Sequence, residues 1–328
     1  MAQTLKIAIP MAGLGTRMRP HTWSKPKPLI PLAGKTVLDY VLEQFNSLPD
    51  PDNVEYIFIV GPQSEKIEAH MQACYPEKTV HYVTQKEMRG QSHALYQARQ
   101  YLTGPMLMAF SDSLIDTDVS FLKDVDGDGV AWVKPVPDPR RFGVAETDSQ
   151  GWVRRLVEKP QDMSNNLALA GLYYFRSGEA LIEAIEEQMR RDIRLKNEYF
   201  LADAINIYLE SGARILAREI EVWLDAGTIE TLLETNRYLL ENGRGNSSEE
   251  CPHPGVAIVP PVYIHPKAQL YRCVVGPNVS IGADCRLEDT LISNSILANG
   301  VEISKMILSD SLIGEQTHLQ GQATQINL

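Results

Sequence analysis

The sequence predicts an α/β protein, a doubly wound and mostly parallel sheet of the Rossmann type followed by a short left-handed parallel β-helix. Three observations predict it. Compact apolar runs alternate with helical patterns over roughly the first 240 residues. A polar segment, "GRGNSSEECPHPG" at 243–255, then interrupts the chain and has the composition of a linker. Beyond it, aliphatic residues recur six apart: Val275, Ile281 and Leu287, then Leu297 and Ile303, then Ile313 and Leu319.

In chain order, residues 7–9, 56–60, 80–83 and 106–110 are apolar runs of the kind found in strands buried on both faces. Residues 36–48, 64–75 and 90–102 lie between them and carry apolar side chains at helical spacing. Strand and helix in this alternation imply parallel pairing with helices on both sides. At 129–136, 142–147, 152–157 and 168–175 the strands follow one another closely, which predicts an antiparallel extension. Helices return at 177–191, 199–210 and 229–242. The expected division is a domain at 1–243, a linker at 244–255 and a β-helix at 256–328. In the β-helix "VGPNVS", "IGADCR" and "IGEQTH" each open with an aliphatic residue and glycine, and three such steps make one triangular turn. Three to four turns fit between Val256 and Leu319. The period slips between Leu270 and Val275, and again around Ser293.

The chain has 328 residues, a net charge of −11 and 44% hydrophobic residues, a globular composition whose acidic balance argues against a general nucleic-acid binder. Against that acidic background Arg17, Arg19, Lys25, Lys27 and Lys35 cluster, as expected where a small polyanion docks; charge alone equally allows a solvated basic loop. Cys74, Cys251, Cys273 and Cys285 show no C-x-x-C spacing and read as thiols of a reducing compartment. No apolar run approaches the ~20 residues that span a bilayer. Residues 5–9 read as a strand rather than a signal peptide. The expectation is a soluble cytoplasmic protein with no membrane partner.

A glycine-rich turn after a first strand commonly faces phosphate, because bare backbone N–H groups approach closely there. "AGLGTRM" accepts no P-loop pattern, and it fails the dinucleotide fingerprint, which needs a third glycine where Met18 stands. It is extended instead by Thr16-Arg17, Pro20, Thr22 and "KPKPLIPLAGK". Here the chain resembles the sugar-1-phosphate nucleotidylyltransferases, the family of glucose-1-phosphate thymidylyl- and uridylyltransferases. Their G-x-G-T-R-x-x-P-x-T followed by P-K-P matches at Gly13, Gly15, Thr16, Arg17, Pro20, Thr22, Pro26, Lys27 and Pro28. The resemblance stays colinear nearly end to end.

It implies a nucleotide-diphospho-sugar transferase-like fold. The implied activity is Mg²⁺-dependent transfer of a nucleotidyl group from a nucleoside triphosphate, dTTP or UTP in preference, to a sugar 1-phosphate, glucose 1-phosphate in preference. On this resemblance the backbone of Ala12, Gly13, Leu14, Gly15 and Thr16 cradles phosphates, with Ser111 also at the nucleotide. Arg17 clamps the triphosphate and Lys27 neutralises charge at the α-phosphate; forked and point cations suit those tasks. Asp112 in "FSDS" and Asp225 in "WLDAGT" are the implied Mg²⁺ ligands. Relatives place glycine before the first aspartate and asparagine or a small apolar residue after it, whereas Ser111 and Ser113 stand here. Gln85 and Gly90 in "TQKEMRGQSHA" are implied for the base. Gly143, Glu158, Lys159, Gly171 and Tyr173 are implied for the sugar phosphate. A homo-oligomer assembled through the β-helix is expected.

Three alternatives stand beside this reading. One is transfer from GTP to mannose 1-phosphate. Another is a bifunctional enzyme whose β-helix transfers acyl groups with His265 or His318 as base. The third is a silent regulatory subunit that keeps the nucleotide site. "DVDGDG" copies half of an EF-hand loop, but its twelfth position is Pro135 and a strand pattern follows, so it reads as an acidic turn.

Overall fold

The computed structural model describes residues 3–246 and 255–321; the predicted linker falls largely, and the end of the predicted β-helix partly, outside the described residues. Two compact units form, one from Met1–Leu14 and Val41–Trp223, the other from Gly15–Tyr40 and Leu224–Leu328.

The first unit is built on a nine-stranded sheet. Its strands are β1 (Leu5–Pro10), β2 (Val54–Val60), β3 (Thr79–Thr84), β4 (Met106–Ala109), β5 (Gly129–Pro135), β6 (Gly143–Thr147), β7 (Val153–Glu158), β8 (Leu167–Phe175) and β9 (Ile215–Glu219). The order is β7-β6-β8-β4-β1-β2-β3, with β5 joining β8 to β9. β1 lies parallel to β2 and β4, β2 to β3, and β5 to β9. β8 runs antiparallel to β4, β5 and β6, so the predicted antiparallel extension is present.

Side chains alternate across a strand, and the sheet buries both sets. The helices α1 (Val37–Glu43) and α2 (Ser64–Cys74) come first in the chain; Ala8, Ile57, Ile59, Met106 and Met108 pack in one cluster with Leu95 of α3 (Gln91–Gln97), Leu181 and Ile185 of α4 (Gly178–Arg190), and Ile205 and Tyr208 of α5 (Leu201–Glu210). Ile7, Ile9, Phe58 and Leu107 occupy the alternate positions and are fully buried too. This two-sided burial is why those runs are continuously apolar. β3 corrects the expectation. It closes the sheet, and none of its residues is buried, because an edge strand has only one neighbour to cover it. α3 also stops at Gln97, short of the expected 102, and Arg99–Tyr101 continues as a 3₁₀ turn.

The second unit combines the loop Gly15–Tyr40, the helix α6 (Ile229–Leu239) and the coil. Among the described residues twelve short strands form three parallel sheets of four, the faces of a β-helix. Leu270 pairs with Leu287, seventeen residues on, but Leu287 pairs with Ile303 and Ile303 with Leu319, sixteen on. A turn is therefore one or two residues shorter than three six-residue steps. The seventeen-residue turn contains one five-residue step, from Leu270 to Val275, and each sixteen-residue turn contains two, as from Leu287 to Ile292 and from Ile292 to Leu297. Ile292 and Leu308 point inward on the face that follows Leu287 and Ile303, each five residues on. Residues in left-handed backbone conformation, including Arg272, Asp289 and Lys305 at one corner and Asn278, Asn294 and Asp310 at the next, fold these tighter edges. Both slips in the period are five-residue faces rather than irregular structure.

Within this unit α6 is tied to its neighbours by a buried amide. Asn236 Oδ1 accepts from Ala33 N at 3.1 Å and from Ser280 Oγ at 2.7 Å, while its Nδ2 donates to Asn278 O at 3.3 Å. Gly34, at φ +83°, lies flat against Tyr263: a Cβ there would come within 2.4 Å of the ring. Lys25 pairs with Glu315 at the last turn. Among the described residues no helix is long and apolar enough to cross a membrane.

Candidate active site

The residues singled out above divide between the two units. In the first, β1 delivers Ala12, Gly13 and Leu14. Met11 N donates to Ile59 O at 2.8 Å, and Gly61 exists because a Cβ there would strike Ala12 O at 2.5 Å. A Cβ at Gly13 would meet nothing within 4 Å, so packing leaves open space in front of that backbone. Leu14 is exposed.

Beyond β3, Gln85 is buried and its backbone N–H is held by Val60 O at 2.8 Å. Its Nε2 lies 3.3 Å from Gly90 O and 3.1 Å from His93 Nδ1. Gly90 has φ +95°, and a Cβ would sit 2.4 Å from Tyr199 O, so only glycine is accommodated there. Tyr199 N donates to Arg89 O and Ser92 N to Tyr199 O, which staples this loop to the start of α5. The sequence therefore joined two residues that do meet.

Ser111 and Asp112 form the turn just past β4, at the carboxyl end of a central parallel strand, where open α/β sheets place ligands. Phe110 N donates to Gly171 O, and Gly171 sits at φ +85° in a register break of β8, against the Phe110 ring. The double-serine flank leaves Asp112 at the strand end. Tyr173, two residues on, is buried, and burial together with the nearby Glu158 charge drives its phenol pKa up.

Glu158 ends β7 opposite Gly143 of β6. A Cβ at Gly143 would approach Glu158 Oε2 to 3.1 Å, so the glycine keeps room beside the carboxylate. Burial raises the Glu158 pKa; Lys159, whose Nζ is 3.5 Å from Oε1, opposes this, and Asp203 and Glu198 add to it. Lys159 stands at φ +48° and reaches over the Phe200 ring at 4.7 Å. The result is a half-buried acceptor beside a cation, suited to hydroxyls next to a phosphate.

In the second unit Gly15 adopts the left-handed conformation at φ 58°, ψ 35°, and its carbonyl accepts from Thr22 Oγ1 at 2.8 Å. Thr16–Met18 forms the 3₁₀ turn that follows, anchored by the fully buried Met18. A Cβ at Gly15 would press on Thr22 at 2.9 Å, which accounts for the glycine and the threonine seven residues apart. Lys27 opens a second 3₁₀ turn, Lys27–Leu29. Asp225 precedes α6; its Oδ1 accepts from Gly227 N at 2.9 Å and its carbonyl from Thr235 Oγ1 at 2.9 Å. A Cβ at Gly227 would lie 2.8 Å from Asp225 Oδ1 and 3.3 Å from Arg17 Nη2, so Arg17 and Asp225 face one gap that glycine keeps clear.

A nucleotidyl transferase family model matches residues 8–242, well over half of the chain. The chain belongs to the nucleotidyl transferase family. This bears out the resemblance carried by the glycine-rich loop. Residues 258–327 match the GMPPB C-terminal domain. Among curated proteins the chain is similar to a glucose-1-phosphate thymidylyltransferase of Streptomyces griseus, 28% identical and covering 96% of this chain and 93% of that protein. It is also similar to the low-salt glycan biosynthesis nucleotidyltransferase Agl11 of Haloferax volcanii, at 30% identity with 94% and 91% covered. A solved structure of UDP-glucose pyrophosphorylase complexed with UDP-glucose shares the fold, with a TM-score of 0.61, 21% identity, and 74% and 100% of the two chains covered.

Several residues near these positions carry no signal in the sequence. Nothing in a single sequence says that the His93 ring touches Gln85. Asn206 of α5 exchanges two hydrogen bonds of 2.8 Å with the backbone of Leu156, two residues before Glu158. Trp223 packs edge-on to Phe142 at 5.0 Å and keeps a buried indole N–H without a partner in the described structure. His265 and His318, the proposed acyl-transfer bases, engage Lys267 N and Glu302 on the coil.

Proposed function

We propose that the enzyme transfers a uridylyl or deoxythymidylyl group from UTP or dTTP to a sugar 1-phosphate, glucose 1-phosphate in preference, with release of pyrophosphate. The observation that carries the base assignment is the Gln85–Gly90 loop: a buried amide held at the mouth of a helix, next to a position where only glycine fits. Names of similar proteins include both thymidylyl and uridylyl transfer to glucose 1-phosphate, which supports the pair without separating them.

In this reading a sugar-phosphate oxygen attacks the α-phosphorus and the pyrophosphate oxygen leaves in line, so the protein contributes position and charge. The backbone at 12–16 receives the triphosphate. Arg17 binds the departing phosphates, Lys27 meets the charge that grows at the α-phosphate, and Ser111 borders the nucleotide. Glu158 accepts sugar hydroxyls, Lys159 takes the sugar phosphate, and Gly143, Gly171 and Tyr173 shape the pocket wall. Mg²⁺ would supply charge neutralisation at the phosphates, with Asp112 and Asp225 as its protein ligands. The donors fit that ion: carboxylates are hard oxygen ligands, Mg²⁺ takes few of them and completes its shell with phosphate and water, and Gly227 leaves the Asp225 carboxylate uncrowded.

We assign the chemistry to residues 1–243 and a supporting role to the coil at 256–328, through which copies of the chain assemble. Support for assembly comes from one coil face. Ala257, Val274, Leu291 and Ile307 stack in register, alternate with the inward Ile258, Val275, Ile292 and Leu308, and end with Ile307 at 65% exposure. The deciding experiment is pyrophosphate release over a grid of five nucleoside triphosphates and several sugar 1-phosphates, with and without Mg²⁺. Turnover confined to UTP or dTTP with a hexose 1-phosphate sustains the proposal. Turnover with GTP and mannose 1-phosphate replaces it, and a blank grid removes it.

A further inference from the structure

The Gln85 side chain makes its hydrogen bonds, among the described residues, with one end only. Gly90 O is a carbonyl and can only accept, so the amide nitrogen of Gln85 belongs at that end, 3.3 Å away. The same nitrogen lies 3.1 Å from His93 Nδ1. That ring nitrogen must then accept, which makes His93 a neutral imidazole with its proton on Nε2. His93 Nε2 lies 3.1 Å from Gln97 Nε2, one helical turn on; because that ring nitrogen carries the proton, the two donors cannot face each other and the Gln97 amide belongs turned over, with its oxygen accepting. His93 and Gln85 are both buried. The chain Gln97–His93–Gln85 thus orients an amide, and the Gln85 oxygen is the atom left to address a ligand.

We propose that His93 is a positioning residue for base selection: by holding the Gln85 nitrogen inward it presents the amide oxygen to the base as an obligate acceptor. This rests on the reading above that Gln85 meets the base. An acceptor there pairs with the ring N3–H of uracil or thymine. It opposes N3 of cytosine, which carries a lone pair, so oxygen would face lone pair without a proton between them. A freely rotating amide would serve both pyrimidines; the fixed one serves the imide. The discrimination is against cytosine within the pyrimidines, and it is built into a histidine that need not touch the nucleotide.

The test compares kcat/KM for UTP and dTTP with that for CTP and dCTP, in the full-length enzyme and its Gln85→Leu, His93→Leu and His93→Gln variants. Gln85→Leu should level the ratio. His93→Leu should cut the preference for UTP and dTTP about tenfold, chiefly through the nucleotide KM, with the KM for sugar 1-phosphate unchanged. His93→Gln, whose carbonyl can accept in place of Nδ1, should recover most of the preference. If His93→Leu keeps the wild-type ratio while Gln85→Leu loses it, His93 has no part and the proposal falls alone. If neither changes the ratio, Gln85 does not read the base, and the underlying reading falls with it.

Acidification gives a second readout that needs no substitution. Burial lowers the His93 pKa, the Arg89 charge lowers it further, and the Glu87 carboxylate and carbonyl oppose them; these are the charged groups acting on it among the described residues. Once protonated, Nδ1 donates and can no longer hold the Gln85 nitrogen. The UTP:CTP preference of the wild type should therefore decline below pH 6.5 and stay flat in His93→Gln. A preference that is equally flat in both overturns the proposal.

Discussion

The sheet of the first unit and the coil of the second bury the same aliphatic residue types by opposite means. Sheet strands run four to nine residues and are covered by helices, so their two-sided burial shows as continuous apolar runs. Coil strands are two or three residues long, and each inward residue is covered by the turn stacked beside it, as Leu270, Leu287, Ile303 and Leu319 are. The difference separates their uses. Long strands end, and at their carboxyl ends the backbone leaves the ladder to form loops such as those at 12–14 and 111–112. A coil offers faces rather than open strand ends. One of its faces carries the unburied Ile307, another packs Tyr263 and Ser280 on the loop and α6, and the third is charged, with Arg286, Glu302 and His318 in register.

The strongest way to break that division is to remove chemistry without touching packing. Asp225→Asn should lower kcat about a thousandfold in Mg²⁺, the scale of losing one charged group aimed at a transition state, while the unfolding midpoint stays close to wild type. A variant with normal turnover would detach Asp225 from the reaction. Next in size is a cavity in the coil. Ile281, fully buried between Ile264 and Leu297, should cost about 3 kcal/mol as Ile281→Ala in urea unfolding. A loss below 1 kcal/mol would mean that the stacked turns do not depend on their inward ladder.

Asn236→Ala sharpens the comparison, since this amide joins the loop, α6 and the coil. It strands the Ala33 N–H, the Ser280 hydroxyl and the Asn278 carbonyl, so about 2 kcal/mol of stability should be lost. The nucleotide KM should rise with it, because Ala33 lies in the same loop as Lys27. Smallest in stability, and opposite in sign, is Glu158→Gln. Burial holds the Glu158 pKa above its ordinary value, so in the wild type the cost of ionising it appears as pH rises through the folded pKa. The Tm of Glu158→Gln should therefore exceed that of wild type by a margin that grows from about pH 4 to neutrality. Its KM for sugar 1-phosphate should rise. A margin independent of pH would show that the carboxylate carries no burial penalty.

Much of the site was legible because it obeys local rules. Gly15 needs a left-handed backbone, Thr22 caps its carbonyl seven residues on, and Gly90 must clear Tyr199. Each leaves a residue type at a set spacing, and a family motif is the sum of such spacings. Elements decided by a distant partner were not legible. β9, "ILARE", has no clear period and is a strand because β5 offers it a parallel edge. β3 looked buried and is an edge, since no spacing within a strand says whether a neighbour lies beyond it. The two slips in the coil were visible at Leu270 and Ser293, but their meaning as five-residue faces came only from the pairing of Ile292 and Leu308.

The sequence by itself determined the class of the protein, the glycine-rich loop with Arg17 and Lys27, and the coil with its inward aliphatics, because each is written in contacts between residues near in the chain. Only the tertiary structure decided that Asn236 joins Ala33 to Ser280, that Asn206 braces β7 behind Glu158, and that His93 meets the Gln85 amide. Those depend on hydrogen bonds across long separations, where a polar side chain is identified by what folding brings to it and not by its neighbours in sequence.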